Sequence, residues 1–368
     1  MKIAFRADAS IQIGTGHVMR CLTLADELRA KGKQCHFISR AHSGHLLEVI
    51  RQRGHTVTAL PTSQLSPAAE NDLASQSAHS TWLGCDLQIE TQQTAAILAD
   101  MQPDWLVVDH YALDQQWEDS LAPNYRRLLV IDDLADRPHR CDLLLDQNLG
   151  RQPQDYSRLV PSQCKVLTSP SYALLRPEFA LLRPYSLERR HALPILRHLL
   201  ITMGGVDKHN ATGQVLQALK TCALPQETRI TVVMGLTAPW LQNIQEMAMR
   251  MPWPTEVVVN VNDMAQRMAD SDLAIGAAGS TCWERCCLGL PTIMVVLADN
   301  QNEAATHLLK AGAANSLAFS SLLYQDIYDQ LLDFIDNREQ LVKMSACAAA
   351  ITDGFGVERV AAVMGDCS

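Results

Sequence analysis

Short apolar runs alternate with amphipathic stretches along the first half of the chain. Ile3 to Ala7 leads into the helically spaced His17 to Ala30, and Gln34 to Ser39 leads into Leu46 to Arg53. The helical stretch Thr94 to Met101 then leads into Trp105-Leu106-Val107-Val108-Asp109. Strands alternating with helices in this way predict a parallel sheet covered on both faces. Two further runs, Leu128 to Asp132 and Leu143 to Asp146, each close on an acidic residue where a strand reaches its carboxyl end. From about Gly150 to Arg197 the periodicity weakens, and Pro153, Pro161, Pro170, Pro177, Pro184 and Pro194 punctuate the chain. That stretch reads as a linker. The pattern restarts at Leu199 to Gly205, Ile230 to Met234, Val257 to Val261, Leu273 to Gly276 and Thr292 to Val296. The expected fold is therefore α/β, two Rossmann-like domains over residues 1–190 and 191–368 that face each other across a cleft. Leu322 to Ala349 is helical by pattern and is expected to pack back across the domain junction.

Composition narrows the class. The chain has 368 residues, enough for two domains, with 47% hydrophobic and 19% charged residues, and no apolar run reaches the roughly 18 to 20 residues of a membrane span. The opening Met1 to Asp8 meets charge too early for a secretion signal and reads as a first strand, so a cytoplasmic location is expected. Eleven scattered cysteines without a CxxC pair signal neither a disulfide framework nor a zinc cluster. A net charge of −9 argues against nucleic acid or an anionic membrane as partner, so any phosphate has to be held by local donors.

In doubly wound sheets ligands bind beyond the carboxyl ends of the strands, so chemistry is sought there. Gly14-Thr15-Gly16-His17-Val18-Met19-Arg20 lies between the first strand and its helix. Its glycines allow close backbone approach, and the helix start offers free N–H groups to an anion. It departs from the dinucleotide fingerprint, since Met19 stands at the third glycine position and the second strand ends Phe37-Ile38-Ser39-Arg40 with no acid. His17 reads either as a helix-capping or core histidine or as a general base, and its flanking glycines with Asp8 and Arg20 nearby favour the base. Val108-Asp109-His110-Tyr111 places three polar side chains at another strand end. In the second half, Met203-Gly204-Gly205 makes a glycine turn, and Gly279-Ser280-Thr281-Cys282-Trp283-Glu284 runs from a strand into a helix. Amides of Gly279, Ser280 and Thr281 suit a diphosphate, and the Glu284 carboxylate suits a ribose diol, or else is a first-turn acid favoured by the helix dipole. Asn300 and Gln301 follow a further strand and read as sugar or phosphate contacts or as a turn. Arg176, at the junction, reads as a ligand contact or as an ion pair with Glu178.

Taken together, Phe5-Arg6-Ala7-Asp8, the Gly14 to Arg20 block, Val108 to Tyr111, Leu174-Leu175-Arg176-Pro177-Glu178-Phe179 and Gly279 to Glu284 resemble the UDP-sugar hydrolase family of pseudaminic acid biosynthesis. The match runs from the N-terminus to about residue 315, with no matching block over Thr62 to Asp86 and a longer helical tail. The resemblance implies a GT-B fold related to the lipid-II-forming N-acetylglucosaminyltransferase, with UDP held by the C-terminal half and the sugar and catalytic base on the N-terminal side. It implies inverting hydrolysis of a UDP-diacetamido-trideoxy-altropyranose, on the route to a nonulosonic acid of flagellin or surface glycan. His17 matches the base, Glu284 the nucleoside-binding glutamate, Gly204, Gly279, Ser280 and Thr281 the phosphate loops, and Tyr111 a sugar-side position. Substrate contacts are expected from Asp8, Gly14, Gly16, Arg20, Asp109, His110, Tyr111, Arg176, Gly204, Gly205, Trp283, Asn300 and Gln301 as well. The expected partner is the small-molecule UDP-sugar alone, bound by a monomer with no cofactor and no metal.

Three other functions fit the same architecture. A glycosyltransferase would use an alcohol in place of water, and one acting on a membrane acceptor would show an apolar and basic patch on its first half. A nucleotide-sugar 2-epimerase would need paired acids near the sugar carbon, for which Asp109 and Asp132 are the candidates. A non-catalytic sensor would need no ionisable group at the reacting carbon, so the role of His17 separates it from an enzyme.

Overall fold

A computed structural model describes residues 1–62, 79–191, 196–236, 238–320 and 322–366. Most of the unmatched Thr62 to Asp86 segment, and Pro194 of the expected linker, lie outside these. The chain divides into two compact units, Met1–Leu174 with Val357–Ser368, and Leu175–Gly356.

The first unit carries a parallel sheet of β1 (Lys2–Ala7), β2 (Gln34–Arg40), β3 (Thr56–Leu60), β4 (Trp105–Asp109), β5 (Arg127–Ile131), β6 (Leu143–Asp146) and β7 (Lys165–Thr168), in the order β3-β2-β1-β4-β5-β6-β7. The second carries β8 (His198–Thr202), β9 (Arg229–Met234), β10 (Thr255–Val259), β11 (Leu273–Ala277), β12 (Thr292–Val296) and β13 (Asn315–Ala318), in the order β10-β9-β8-β11-β12-β13. Both orders reverse beside the first strand, so each sheet has one switch point, between β1 and β4 and between β8 and β11. The central strands are buried on both faces, which is why they read as near-continuous apolar runs.

The compact units divide between Leu174 and Leu175 rather than at the expected 190/191, because the described part of the proline-rich stretch forms regular elements. It holds β7 and the helix Pro177–His191, with Pro177 at the helix start and Pro184 within it. That helix is bound into the second unit by its polar side chains. Arg183 donates to the carbonyls of Ala349 (2.7 Å) and Thr352 (3.1 Å), Ser186 to Leu288 (2.7 Å), and Arg190 to Met268 (2.9 Å) and Ser271 (2.8 Å). These carbonyls lie at or just past helix ends, where they lack intrahelical partners.

The C-terminal region also differs from expectation. Helices Leu323–Asp336 and Arg338–Ala349 stay in the second unit, where Leu323, Ile327, Leu331, Phe334, Leu341 and Met344 join its core. The helix that crosses is the next one, Gly356–Asp366. Its Val357, Val360, Ala361 and Met364 pack with Ile3, Phe5, Leu22 and Val107 in the first unit, and Arg359 donates to the Ser171 carbonyl at 2.7 Å.

Candidate functional site

At the switch point of the first sheet, β1 hands over to the helix Gly16–Ala30 and β4 ends at Asp109. Gly14 closes a tight loop by donating to the Ser10 carbonyl at 2.8 Å, which places His17 in the first turn of the helix. Asp109 Oδ1 lies 2.6 Å from His17 Nδ1, while Arg20, one turn on, donates through Nε to Asp109 Oδ2 (2.6 Å) and through Nη2 to Oδ1 (2.7 Å). Arg20 Nη1 also donates to Asp133 Oδ2 at 2.7 Å, and Tyr111 Oη donates to the same oxygen at 2.8 Å.

Electrostatics keep the Asp109 carboxylate ionised. Burial alone would raise the Asp109 carboxyl, but Arg20 and His17 hold it well below the usual carboxylate range. An ionised Asp109 can only accept, so His17 Nδ1 carries a proton, and in the neutral imidazole Nε2 is then the acceptor. Among the described residues Nε2 has no hydrogen-bond partner. The arrangement of carboxylate, imidazole and open nitrogen is that of an oriented general base.

Rings surround the histidine. Tyr111 meets His17 edge-on at 4.7 Å between centroids, Trp82 lies 6.0 Å from it, and Trp82 and Tyr111 stack at 5.5 Å. Arg137 lies over the Tyr111 ring at 5.8 Å.

Two expected contacts prove committed elsewhere. Asp8 is fully buried, paired with Arg6 Nη1 at 2.6 Å and accepting from the Arg40 backbone N–H at 2.7 Å. Arg6 in turn donates twice to the buried Glu90, at 2.7 and 3.0 Å. His110 is buried as well, its Nδ1 accepting from the Ala112 N–H (3.2 Å) and its Nε2 lying 3.4 Å from Asp8, while burial lowers its pKa. Both residues therefore brace the strand ends from within. Of the acids weighed for epimerisation, Asp109 is held by Arg20 and Asp132 by Arg137 at 3.0 Å.

The second sheet repeats the geometry without a base. After β8, Gly204 adopts φ +86°, a conformation that side chains other than glycine strain to reach, and Gly205 follows it in the turn. After β11, the backbone N–H groups of Gly279, Ser280 and Thr281 find no hydrogen-bond partner among the described residues, and a Cβ on Gly279 would meet only the Gln301 amide, at 3.9 Å. Ser280 occupies the helix cap position without a side-chain capping bond. Gln301 is partly engaged, accepting from the Leu297 N–H at 2.9 Å, and Asn300 is exposed beside it. Trp283 is buried, so its part is packing beneath the loop.

Beneath that loop runs Arg285, which sequence reasoning passed over. It is 1% exposed, donates to the Ala277 carbonyl (2.7 Å) and Thr281 Oγ1 (3.3 Å), and has no carboxylate in ion-pair contact among the described residues. Gly276 makes room for it, since a Cβ there would come within 2.7 Å of its guanidinium. A buried cation under three free amides creates a site for an anion.

Glu284 stands half-buried one turn along, and its carboxylate makes no hydrogen bond among the described residues. Burial pushes it up to about 7, with Arg176 and Arg285 pulling the other way. Arg176 itself pairs with Glu178 at 2.9 Å and lies over the Phe179 ring at 5.2 Å, the ion-pair alternative raised from the sequence. A carboxyl raised in the folded state costs stability as pH rises from its unfolded value to about 7. Glu284→Gln is therefore expected to stabilise the unliganded protein by about 1–2 kcal/mol at pH 8 and by little at pH 5, read from denaturant midpoints. On the reading that the sequence resemblance implies, in which Glu284 takes a ribose diol, the same substitution is expected to weaken UDP-sugar binding at pH 8 by about tenfold or more, because a carboxylate takes both hydroxyls of a diol and an amide oxygen accepts less strongly. The wild-type affinity should fall as pH drops through about 7, and the variant's should stay level; a wild-type affinity flat across that range would remove Glu284 from the binding site.

Residues 198–359 match the glycosyltransferase family 28 C-terminal domain. The chain is 26% identical over 313 residues to the UDP-2,4-diacetamido-2,4,6-trideoxy-beta-L-altropyranose hydrolase of Campylobacter jejuni, a match covering 85% of this chain and 97% of that protein. Among solved structures, Acinetobacter baumannii MurG superposes with a TM-score of 0.70 at 18% identity over 99% of both chains. The UDP-GlcNAc 2-epimerase of Neisseria meningitidis bound to UDP-GlcNAc gives 0.60 at 12% identity over 100% of both. The chain thus has the GT-B fold, carries a second unit that matches the glycosyltransferase family 28 C-terminal domain, and resembles the Campylobacter jejuni hydrolase along most of its length.

Proposed function

We propose that the protein hydrolyses a UDP-sugar at its anomeric carbon, with UDP-2,4-diacetamido-2,4,6-trideoxy-beta-L-altropyranose as substrate. The observation that carries this reading is the His17–Asp109 pair, an imidazole held in one tautomer with Nε2 unbonded at a switch point. Resemblance to the Campylobacter jejuni hydrolase over most of both chains supports the reaction and the sugar.

In this mechanism the second unit holds UDP. Glu284 takes the ribose hydroxyls, and the Gly279, Ser280 and Thr281 amides hold the diphosphate above Arg285. The first unit supplies the base. Water attacks C1, its proton passes to His17 Nε2, and the C1–O bond breaks with its electron pair leaving on the β-phosphate oxygen of UDP. Asp109 and Arg20 stabilise the imidazolium that forms, and the amides stabilise the departing charge. Attack opposite the leaving group inverts the anomeric centre.

A glycosyltransferase is the second reading, favoured by the family 28 match of the second unit. The two separate in one experiment. Purified protein is incubated with the UDP-sugar in the presence of EDTA and without acceptor, and UDP and the sugar anomer are followed by NMR. Release of UDP with an inverted free sugar is the expected result. UDP release only after an alcohol is added would replace hydrolysis with transfer, and a changed sugar still attached to UDP would mean epimerisation.

A further inference from the structure

We infer that Trp82 is a specificity-determining residue, which reads an N-acetyl group or deoxygenated carbon of the sugar beside His17; this rests on the UDP-sugar reading above. Trp82 lies in the segment that matched no block of the resembled family, on the 3-10 turn Ser80–Leu83 that leads into the helix Leu87–Met101. The turn is anchored from below, because Leu83 is buried among Leu60, Leu98 and Leu113. Tyr111 stacks on the indole at 5.5 Å and 27°, and His79 meets it edge-on at 4.7 Å. The ring is thus held in one orientation 6.0 Å from the proposed base.

Despite these neighbours Trp82 remains half-exposed, and its indole N–H has no hydrogen-bond partner among the described residues. A fixed aromatic surface with one unspent donor matches a ligand that presents a methyl group and a carbonyl together. An acetamido group has that pair, and a deoxygenated carbon offers apolar surface alone. A fully hydroxylated sugar would instead place hydroxyls against the ring and leave them unpaired. The adjacent Tyr111 hydroxyl is already spent on Asp133, so it does not compete with the indole N–H for a ligand acceptor.

The test uses the full chain in two backgrounds. In the active protein, Trp82→Ala is expected to raise KM for the diacetamido-trideoxy substrate by about tenfold or more while kcat changes by less than about threefold, and Trp82→Phe is expected to fall between. The preference for this substrate over UDP-glucose, which has neither an acetamido group nor a deoxygenated carbon, should narrow in the same order. In the His17→Ala background, which holds substrate without turning it over, calorimetry compares UDP-sugar with UDP. Trp82→Ala should weaken the UDP-sugar and leave UDP unchanged, the latter also showing that the variant is folded. An unchanged ratio of the two affinities overturns the role of Trp82 even if hydrolysis is confirmed. Failure of the hydrolase reading appears separately, as absence of UDP release from the wild type, and the affinity ratio still decides Trp82.

Discussion

His17→Ala is expected to slow UDP release by about 10²–10⁴-fold, the usual worth of a positioned general base, while UDP affinity stays within about twofold. The two effects separate because His17 stands in the first unit, whereas the free amides and Glu284 are in the second. A single-turnover measurement of UDP release beside a UDP titration reads both. Equal loss of rate and UDP affinity would make His17 a binding residue, and an unaffected rate would move the chemistry elsewhere.

Asp109→Asn should have nearly as large an effect on rate by a different route, together with a cost in stability. The amide can donate to His17 Nδ1, favouring the tautomer whose Nε2 carries the proton and cannot accept one. A fall in kcat of about 10²–10⁴-fold with little change in KM is expected. Arg20 meanwhile keeps Asp133 but loses the charge of its two-bond partner, and breaking a buried pair typically costs about 3–5 kcal/mol, here reduced by the amide oxygen that remains. Because Asp109 titrates well below the usual range, this stability is present at neutral pH and is lost only as pH falls through the folded value. The denaturant midpoint of the variant should therefore approach that of the wild type on strong acidification. A rate like the wild type's would show that Asp109 merely anchors Arg20.

Central strands were legible in the sequence, and of the four edge strands only β10, read as Val257 to Val261, was. β1, β4, β8 and β11 are buried on both faces, so hydrophobicity alone marks them, and the glycine turns after β1, β8 and β11 mark the candidate site. β3, β7 and β13 are short, half-buried edges of four or five residues, for which one apolar face supplies too few positions to form a pattern. The helix Pro177–His191 was hidden by its prolines, although Pro177 at a helix start is favourable and only Pro184 disrupts a hydrogen bond.

Within the site, the motif residues His17, Arg20, Asp109 and Tyr111 came together as their strand-end positions implied. Asp8, from the same motifs, turned inward, because β1 alternates its side chains and Asp8 lies on the same face as Arg6, which pairs with both Asp8 and Glu90. Asp133, Trp82 and Arg285 were missed. Asp133 is masked by Asp132 beside it, Trp82 stands in a segment without periodicity, and Arg285 looks like a solvated helix residue until Gly276 is seen to make room for it.

The helix Gly356–Asp366 has a bearing on biosynthesis. Its Val357, Val360 and Met364 fill a stripe of the first unit's core, yet they leave the ribosome only after all of Leu175–Gly356 has been made. At usual elongation rates that interval is on the order of ten seconds or more, long compared with the collapse of a chain this size. During it the nascent first unit presents an uncovered apolar groove beside Ile3, Phe5 and Leu22. Chaperone demand should therefore peak midway through translation, and a ribosome stalled before residue 357 would hold a first unit that has its base in sequence but lacks the last wall of its core.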